Sequence, residues 1–141
     1  MDIQTARITG KRILLVEDER VVREALRLFL VQDDHTVVEA NNGAEAFALF
    51  RSGQFDLVMT DFEMPFVKGN ELATRIRQFA PQQPILMVTA YAHRPGPENP
   101  VNAVVMKPFD TGSLRETMVK LLTQPADNDT TVLERCDLGS G

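Results

Sequence analysis

Short runs of consecutive apolar residues alternate along this chain with longer stretches in which apolar residues recur every three or four positions. A continuous apolar run is typical of a strand that is buried on both faces of a sheet, and the longer spacing is typical of a helix. The predicted strands are Arg12–Val16, Thr36–Ala40, Leu57–Thr60, Ile85–Val88 and Ala103–Met106. The predicted helices are Arg20–Val31, a segment from a cap at Asn42 to about Arg51, Gly69–Phe79 and Ser113–Leu122.

This alternation predicts an α/β fold with a five-stranded parallel sheet and helices on both faces, because parallel neighbours are joined by right-handed crossovers. Five strands suit the flavodoxin-like order 2-1-3-4-5. We expect one domain over residues 12–123, an N-terminal lead over 1–11 and a flexible polar tail over 124–141.

One helix of this pattern is missing between the fourth and fifth strands. The segment Tyr91–Asn102 contains Pro95, Pro97 and Pro100, each of which removes an amide donor and disfavours helix in the residue before it. We therefore expect an irregular loop where the fourth crossover helix belongs.

Composition narrows the functional classes. The chain has 141 residues and a formal net charge of −5, and a field of that sign opposes binding to nucleic acid or anionic lipid. Cys136 is its single cysteine, so no disulfide framework can form within the chain. No apolar stretch reaches transmembrane length and no secretory pattern opens the chain, so we expect a cytoplasmic protein.

Polar groups follow four of the apolar runs at the point where each strand ends. Glu17 and Asp18 follow the first strand, Asp61 the third, Thr89 the fourth and Lys107 the fifth. In the order 2-1-3-4-5 these strand ends are neighbours, and open α/β sheets bind ligands at that edge. We expect the acids, the hydroxyl and the ammonium group to share one site.

This set of groups suits Mg²⁺ and a phosphoryl group. Mg²⁺ prefers oxygen ligands, which Asp18, Asp61 and the backbone carbonyl of Glu63 can supply. Lys107 and Thr89 offer donors to phosphate oxygens, and Asp61 is placed to attack phosphorus as a carboxylate nucleophile. Taken singly, each residue is explained equally well as a helix-dipole or turn residue. Those explanations do not account for all four positions occurring together at strand ends.

The sequence here resembles the receiver domain of two-component response regulators. The resemblance spans Arg12 to about Thr123 and rests on four stretches. They are Ile13–Glu19 (ILLVEDE), Asp56–Pro65 (DLVMTDFEMP), Val88–Ala90 (VTA) and Val105–Phe109 (VMKPF).

The resemblance implies a role for each site residue. Asp61 is the expected phosphoacceptor, taking its phosphoryl group from a histidine kinase or a histidine phosphotransfer protein. Glu17 and Asp18 are the expected acidic pair for Mg²⁺, Thr89 the switch hydroxyl and Lys107 the phosphate-contacting lysine. On this interpretation the protein is not an enzyme beyond self-catalysed phosphotransfer and slow autodephosphorylation.

Further positions follow from the same resemblance. The Lys107-Pro108 bond is expected to be cis, and Glu63 and Tyr91 are expected to border the site. The family commonly has an aromatic switch residue three positions before the lysine, where this chain has Val104. Since the helix before the fifth strand is also missing, we expect an atypical output face that reports to an unknown downstream protein through the Tyr91–Asn102 loop. A homodimer is compatible with this interpretation.

Three rival interpretations remain open on sequence grounds. The first is a pseudo-receiver that is never phosphorylated and serves only as a docking module. The second is an Mg²⁺-dependent phosphohydrolase with an Asp nucleophile, although no cap domain is visible. The third is a flavodoxin-type FMN carrier, which the acidic loop after the first strand disfavours.

Overall fold

Five strands and four helices lie within residues 8–90 and 100–123, which are the residues described by this computed structural model. The strands are β1 (Arg12–Val16), β2 (Thr36–Ala40), β3 (Leu57–Thr60), β4 (Ile85–Thr89) and β5 (Ala103–Met106). The helices are α1 (Arg20–Gln32), α2 (Gly43–Arg51), α3 (Gly69–Phe79) and α4 (Thr111–Thr123). The predicted tail and most of the Tyr91–Asn102 loop, including the site-border residue Tyr91, lie outside the described residues.

The sheet is parallel throughout and has the predicted order β2-β1-β3-β4-β5. Successive residues of a strand point to opposite faces, so Ile13 and Leu15 pack against α1 and α4, while Leu14 and Val16 pack against α2 and α3. All four residues are completely buried. The continuous apolar runs are therefore explained by a sheet that is covered on both faces.

Helix α2 begins at the cap that the sequence predicts. The Asn42 side chain accepts a hydrogen bond from the Glu45 amide at 2.8 Å. The Glu45 carboxylate reaches back to the amide of Asn41 at 3.0 Å, one residue earlier than in a standard capping box. These two hydrogen bonds fix the start of the helix.

An ion pair ties α4 to the end of α1. Arg115 donates two hydrogen bonds to the Asp33 carboxylate, at 2.7 and 3.2 Å, and its guanidinium lies 5.1 Å from the centre of the Phe29 ring. Asp33 is buried and caps the C-terminus of α1. The paired geometry fixes the two helices on one face of the sheet relative to each other.

The amino edge of the sheet holds a buried histidine. His35 precedes β2, and its Nδ1 accepts a hydrogen bond from the Lys11 amide at 3.1 Å, so this nitrogen carries no proton. Burial lowers the pKa of His35, and the charge of Lys11 acts in the same direction. The carboxylates of Asp33, Asp34 and Asp56 oppose that shift without cancelling it.

Candidate functional site

The carboxyl ends of four strands form one open acidic cleft of about 580 Å³. Because β1, β3, β4 and β5 are parallel, the loops that follow them leave the sheet at the same edge. The lining residues are Asp18, Glu19, Asp61, Glu63, Met64, Pro65, Thr89, Ala90 and Lys107. The predicted site residues among them are therefore brought together by the sheet order.

Lys107 links two buried carboxylates beside this cleft. Its Nζ lies 2.8 Å from Oε1 of Glu17 and 3.3 Å from Oδ2 of Asp61. The Glu17 side chain is 1% exposed and that of Lys107 14% exposed, so this contact is shielded from solvent. One ammonium group thus separates two acids that would otherwise repel each other.

The electrostatics of this cluster are set by burial. Burial raises the pKa of Glu17, against hydrogen bonds from Lys107 and the Glu19 amide that lower it, and the Asp61 charge raises it further. Burial alone would lower the pKa of Lys107, but the two carboxylates more than offset it and the pKa is raised. Lys107 therefore remains charged at neutral pH.

Glu17 is held in place by three separate contacts. Its Oε2 accepts the Glu19 amide at 3.1 Å, while Oε1 accepts from Lys107. Arg23, one turn into α1, donates to the Glu17 carbonyl at 2.8 Å. Glu19, the N-cap residue of α1, makes no side-chain cap bond to the helix.

The carboxylate of Asp61 is oriented from both sides. Its Oδ1 accepts the Phe62 amide at 2.7 Å, and its Oδ2 faces Lys107. Its own amide donates to the Val16 carbonyl at 3.1 Å, which extends the pairing of β1 and β3 by one residue. Gly69 packs so closely on the Asp61 carbonyl that a Cβ there would overlap the carbonyl oxygen.

The three acids present a donor set that suits a hard cation. One carboxylate oxygen from each of Glu17, Asp18 and Asp61 lies within 4.8 Å of the others, and Asp18 is exposed at the cleft. All the side-chain donors are carboxylate oxygens, and the three acids face the single positive charge of Lys107. This chemistry fits Mg²⁺ and disfavours metals that prefer nitrogen or sulfur.

The other predicted positions lie on β4, on β5 and in the loops that follow β3 and β5. Thr89 ends β4, is buried, and its carbonyl accepts the Lys107 amide at 2.8 Å. The Glu63 side chain is exposed and pairs with Lys68 at 3.0 Å. Val104 is half-buried in β5 opposite Met87. The Lys107-Pro108 peptide is cis.

Sequence reasoning missed the backbone of the loop between β3 and α3. Phe66 has φ +70° and its side chain is 84% exposed, a conformation and an environment that both disfavour phenylalanine. The Met64-Pro65 pair predicts a turn, but the aromatic residue after it gave no signal of a positive φ. A glycine or asparagine there would have given one.

Comparison with known proteins decides the family. The sequence model of the response regulator receiver domain matches residues 13–119, about three quarters of the chain. The chain belongs to this family. The flavodoxin-like order of the sheet agrees with that assignment.

Relatives of known structure share the fold over most of the chain. TrrA of Thermotoga maritima, which is 38% identical to this chain, has been solved in complex with Mg²⁺-BeF and in complex with the histidine kinase ThkA. The Mg²⁺-BeF complex has a TM-score of 0.76 and aligns with 79% of this chain and 99% of TrrA. The receiver domain of the sensor histidine kinase PA1611 of Pseudomonas aeruginosa, solved with magnesium in its active-site cleft, is 25% identical with a TM-score of 0.74, covering 81% and 98% of the two chains.

A curated relative is longer than this chain. The transcriptional regulatory protein SrrA of Staphylococcus aureus is 29% identical over 132 residues, which are 91% of this chain and 53% of SrrA. The chain thus spans about half the length of the curated relatives it matches. Within the described ranges, no helix combines the length and apolarity needed to cross a membrane.

Proposed function

We propose that this receiver domain is a working phosphoacceptor in which Asp61 takes a phosphoryl group from the phosphohistidine of a histidine kinase or histidine phosphotransfer protein. The observation that carries the proposal is the Lys107 ammonium, which lies 3.3 Å from Oδ2 of Asp61 beside an open acidic cleft. The related TrrA, 38% identical, has been solved with Mg²⁺-BeF and with a histidine kinase.

Mg²⁺ would be held by Glu17, Asp18, Asp61 and the backbone carbonyl of Glu63. When bound, the ion neutralises negative charge on the transferred group and on the acids around it. The burial of Glu17 and its bond to Lys107 make Asp18 the acid most accessible from the cleft. We expect Asp18 and Asp61 to contribute more to metal affinity than Glu17.

In the proposed step an oxygen of Asp61 attacks phosphorus in line with the donor nitrogen. The new O–P bond forms as the N–P bond of phosphohistidine breaks, and the imidazole leaves with the electron pair and takes up a proton. Lys107 and Thr89 hold oxygens of the transferred group. Water later cleaves the acyl phosphate, releasing inorganic phosphate and restoring the Asp61 carboxylate.

Signal output is proposed to be a protein contact that depends on phosphorylation. Val104 cannot act as an aromatic switch, because it has no ring to rotate inward. The Tyr91–Asn102 segment remains our proposed reporter, with Tyr91 at the site border, and the downstream protein is unassigned. We propose a cytoplasmic location, since a histidine kinase of the same cell must supply the phosphoryl group.

The test is phosphotransfer from a panel of phosphorylated histidine kinases and phosphotransfer proteins in the presence of Mg²⁺. We expect label on the wild type and on Asp56→Asn, and none on Asp61→Asn. Asp56 is a matched control because it precedes the same strand at the opposite edge, where it accepts the Arg12 amide at 2.8 Å. Equal labelling of wild type and Asp61→Asn would contradict the proposal. Failure of every donor to label the wild type, acetyl phosphate included, would favour a docking pseudo-receiver.

A further inference from the structure

The loop between β3 and α3 contains a strained turn centred on Phe66. The Val67 amide donates to the Pro65 carbonyl at 2.8 Å, a hydrogen bond that spans a single residue, and Phe66 between them has φ +70°. These features define a γ-turn of the rare, strained hand. A bulky residue with positive φ is an outlier that points to a function for the site.

The strain at Phe66 is not compensated by packing. Its side chain is 84% exposed, and none of the ring–ring or cation–ring contacts found within the described residues involves it. Its neighbours, in contrast, are fixed, since Met64 and Val67 are both buried and Gly43 packs against Val67. The loop therefore presents an aromatic ring to solvent from a rigid base.

Phe66 directly follows the segment of this loop that borders the phosphoacceptor cleft, the rim of the cleft. Met64 and Pro65, the residues just before it, line the cleft together with Asp61. A paired charge flanks it, because Lys68 and Glu63 bind each other at 3.0 Å. Aromatic residues, phenylalanine included, are enriched at protein–protein interfaces relative to the rest of the surface, so an exposed Phe66 is suited to a protein contact.

The occupant of this rim follows from the reach of the donor. A phosphoryl group on a histidine extends only one imidazole beyond the surface of the protein that carries it. To bring phosphorus within bonding distance of Asp61, that protein must press against the rim of the cleft. A small donor such as acetyl phosphate enters the cleft without touching the rim.

We propose that Phe66 is the apolar anchor that the phosphohistidine-bearing protein contacts during transfer, so that it sets the rate with protein donors and not with small donors. This inference rests on the proposed function of Asp61. The exposed ring would be buried by the donor, and that burial offsets the cost of holding it in water and in a strained turn.

The test compares Phe66→Asn with wild type. Asparagine tolerates a positive φ, so the turn is kept while the ring is removed. We expect transfer from the fastest phosphorylated histidine kinase of the panel above to slow by about ten-fold or more. Labelling by acetyl phosphate and binding of beryllofluoride with Mg²⁺ should change by less than about two-fold, and the unfolding midpoint should not fall.

Val31→Ala is the matched control. Val31 is also exposed, at 44%, but it lies near the end of α1 at the opposite edge of the sheet. We expect this variant to transfer at the wild-type rate with both kinds of donor. Phe66→Leu, which keeps an apolar side chain, should recover part of the rate lost in Phe66→Asn.

Each other outcome overturns the inference in a distinct way. Unchanged kinase transfer in Phe66→Asn removes the anchor, and a parallel loss with acetyl phosphate means that Phe66 supports the site itself. A change only in self-association, measured by light scattering, assigns the ring to a second copy of this chain. If acetyl phosphate labels Asp61 but no kinase does, the anchor is rejected while the phosphoacceptor survives; if neither labels it, the proposed function fails.

Discussion

Replacing Gly69 by alanine tests how tightly the end of the strand that carries Asp61 is packed. Gly69 is the first residue of α3, and a Cβ there would meet the carbonyl oxygen of Asp61 and lie 3.0 Å from the Cα of Phe62. Both partners are backbone atoms, so no side-chain rotation relieves the overlap. The loop that carries Asp61 must move instead.

The size of the effect comes from two opposing contributions. Removing the freedom of a glycine in the unfolded chain stabilises a protein by about 0.4–1 kcal/mol, whereas overpacking costs about 1–3 kcal/mol. We expect Gly69→Ala to lower the free energy of unfolding by about 1–2 kcal/mol, or Tm by roughly 4–8 °C. Beryllofluoride affinity with Mg²⁺ should fall as well, because the displaced carbonyl belongs to Asp61.

Gly112→Ala is the matched control, since Gly112 is also in the first turn of a helix. A Cβ there would meet only the Asp110 carboxylate, at 3.3 Å, a flexible side chain. This variant should be as stable as the wild type or more stable, by up to about 1 kcal/mol, with full beryllofluoride affinity. Urea unfolding and beryllofluoride titration measure both quantities. A Gly69→Ala protein indistinguishable from Gly112→Ala would refute the packing argument.

Three further predictions concern charged or titrating groups. Lys107→Met should weaken beryllofluoride binding by about ten-fold or more in a fluorescence titration, because Asp61 and Glu17 lose their shared cation. Arg115→Met should lower the free energy of unfolding by about 1–3 kcal/mol in urea, because Asp33 stays buried without its guanidinium. His35→Asn should remove part of the loss of stability that we expect in the wild type as pH falls below about 6.5.

The sign of the pH effect follows from the direction of the pKa shift. The folded protein has a lowered His35 pKa, so the unfolded chain takes up a proton first as pH falls. Stability is complete above the ordinary histidine pKa and is lost as pH falls through the folded one. Identical pH profiles for His35→Asn and wild type would contradict this account, as would an unchanged urea midpoint in Arg115→Met or full beryllofluoride affinity in Lys107→Met.

The strands and the convergence of the site were predictable because they depend on local pattern and on sheet order. Every predicted strand is present, β4 being one residue longer than expected, and α4 is extended at both ends. Asp61, Thr89 and Lys107 meet because each directly follows or ends a strand. The rules that place them need no knowledge of side-chain packing.

The contacts between distant residues were not predictable in the same way. Nothing in the sequence near Glu17 indicates that its carboxylate is buried and accepts a hydrogen bond from Lys107, 90 positions away. The Arg115–Asp33 pair spans 82 positions, and no local sequence pattern predicts it. Such contacts depend on side-chain orientation across the assembled sheet, which periodicity does not determine.

Phosphorylation of Asp61 by a donor that needs no partner protein tests whether the site accepts a phosphoryl group on its own. The intact mass of the wild type and of Asp61→Asn is measured after incubation with acetyl phosphate and Mg²⁺, with peptide mapping of the product. We expect one phosphoryl group on the wild type, at Asp61, and none on the variant. A phosphoryl group on another residue, or equal labelling of both proteins, would contradict it.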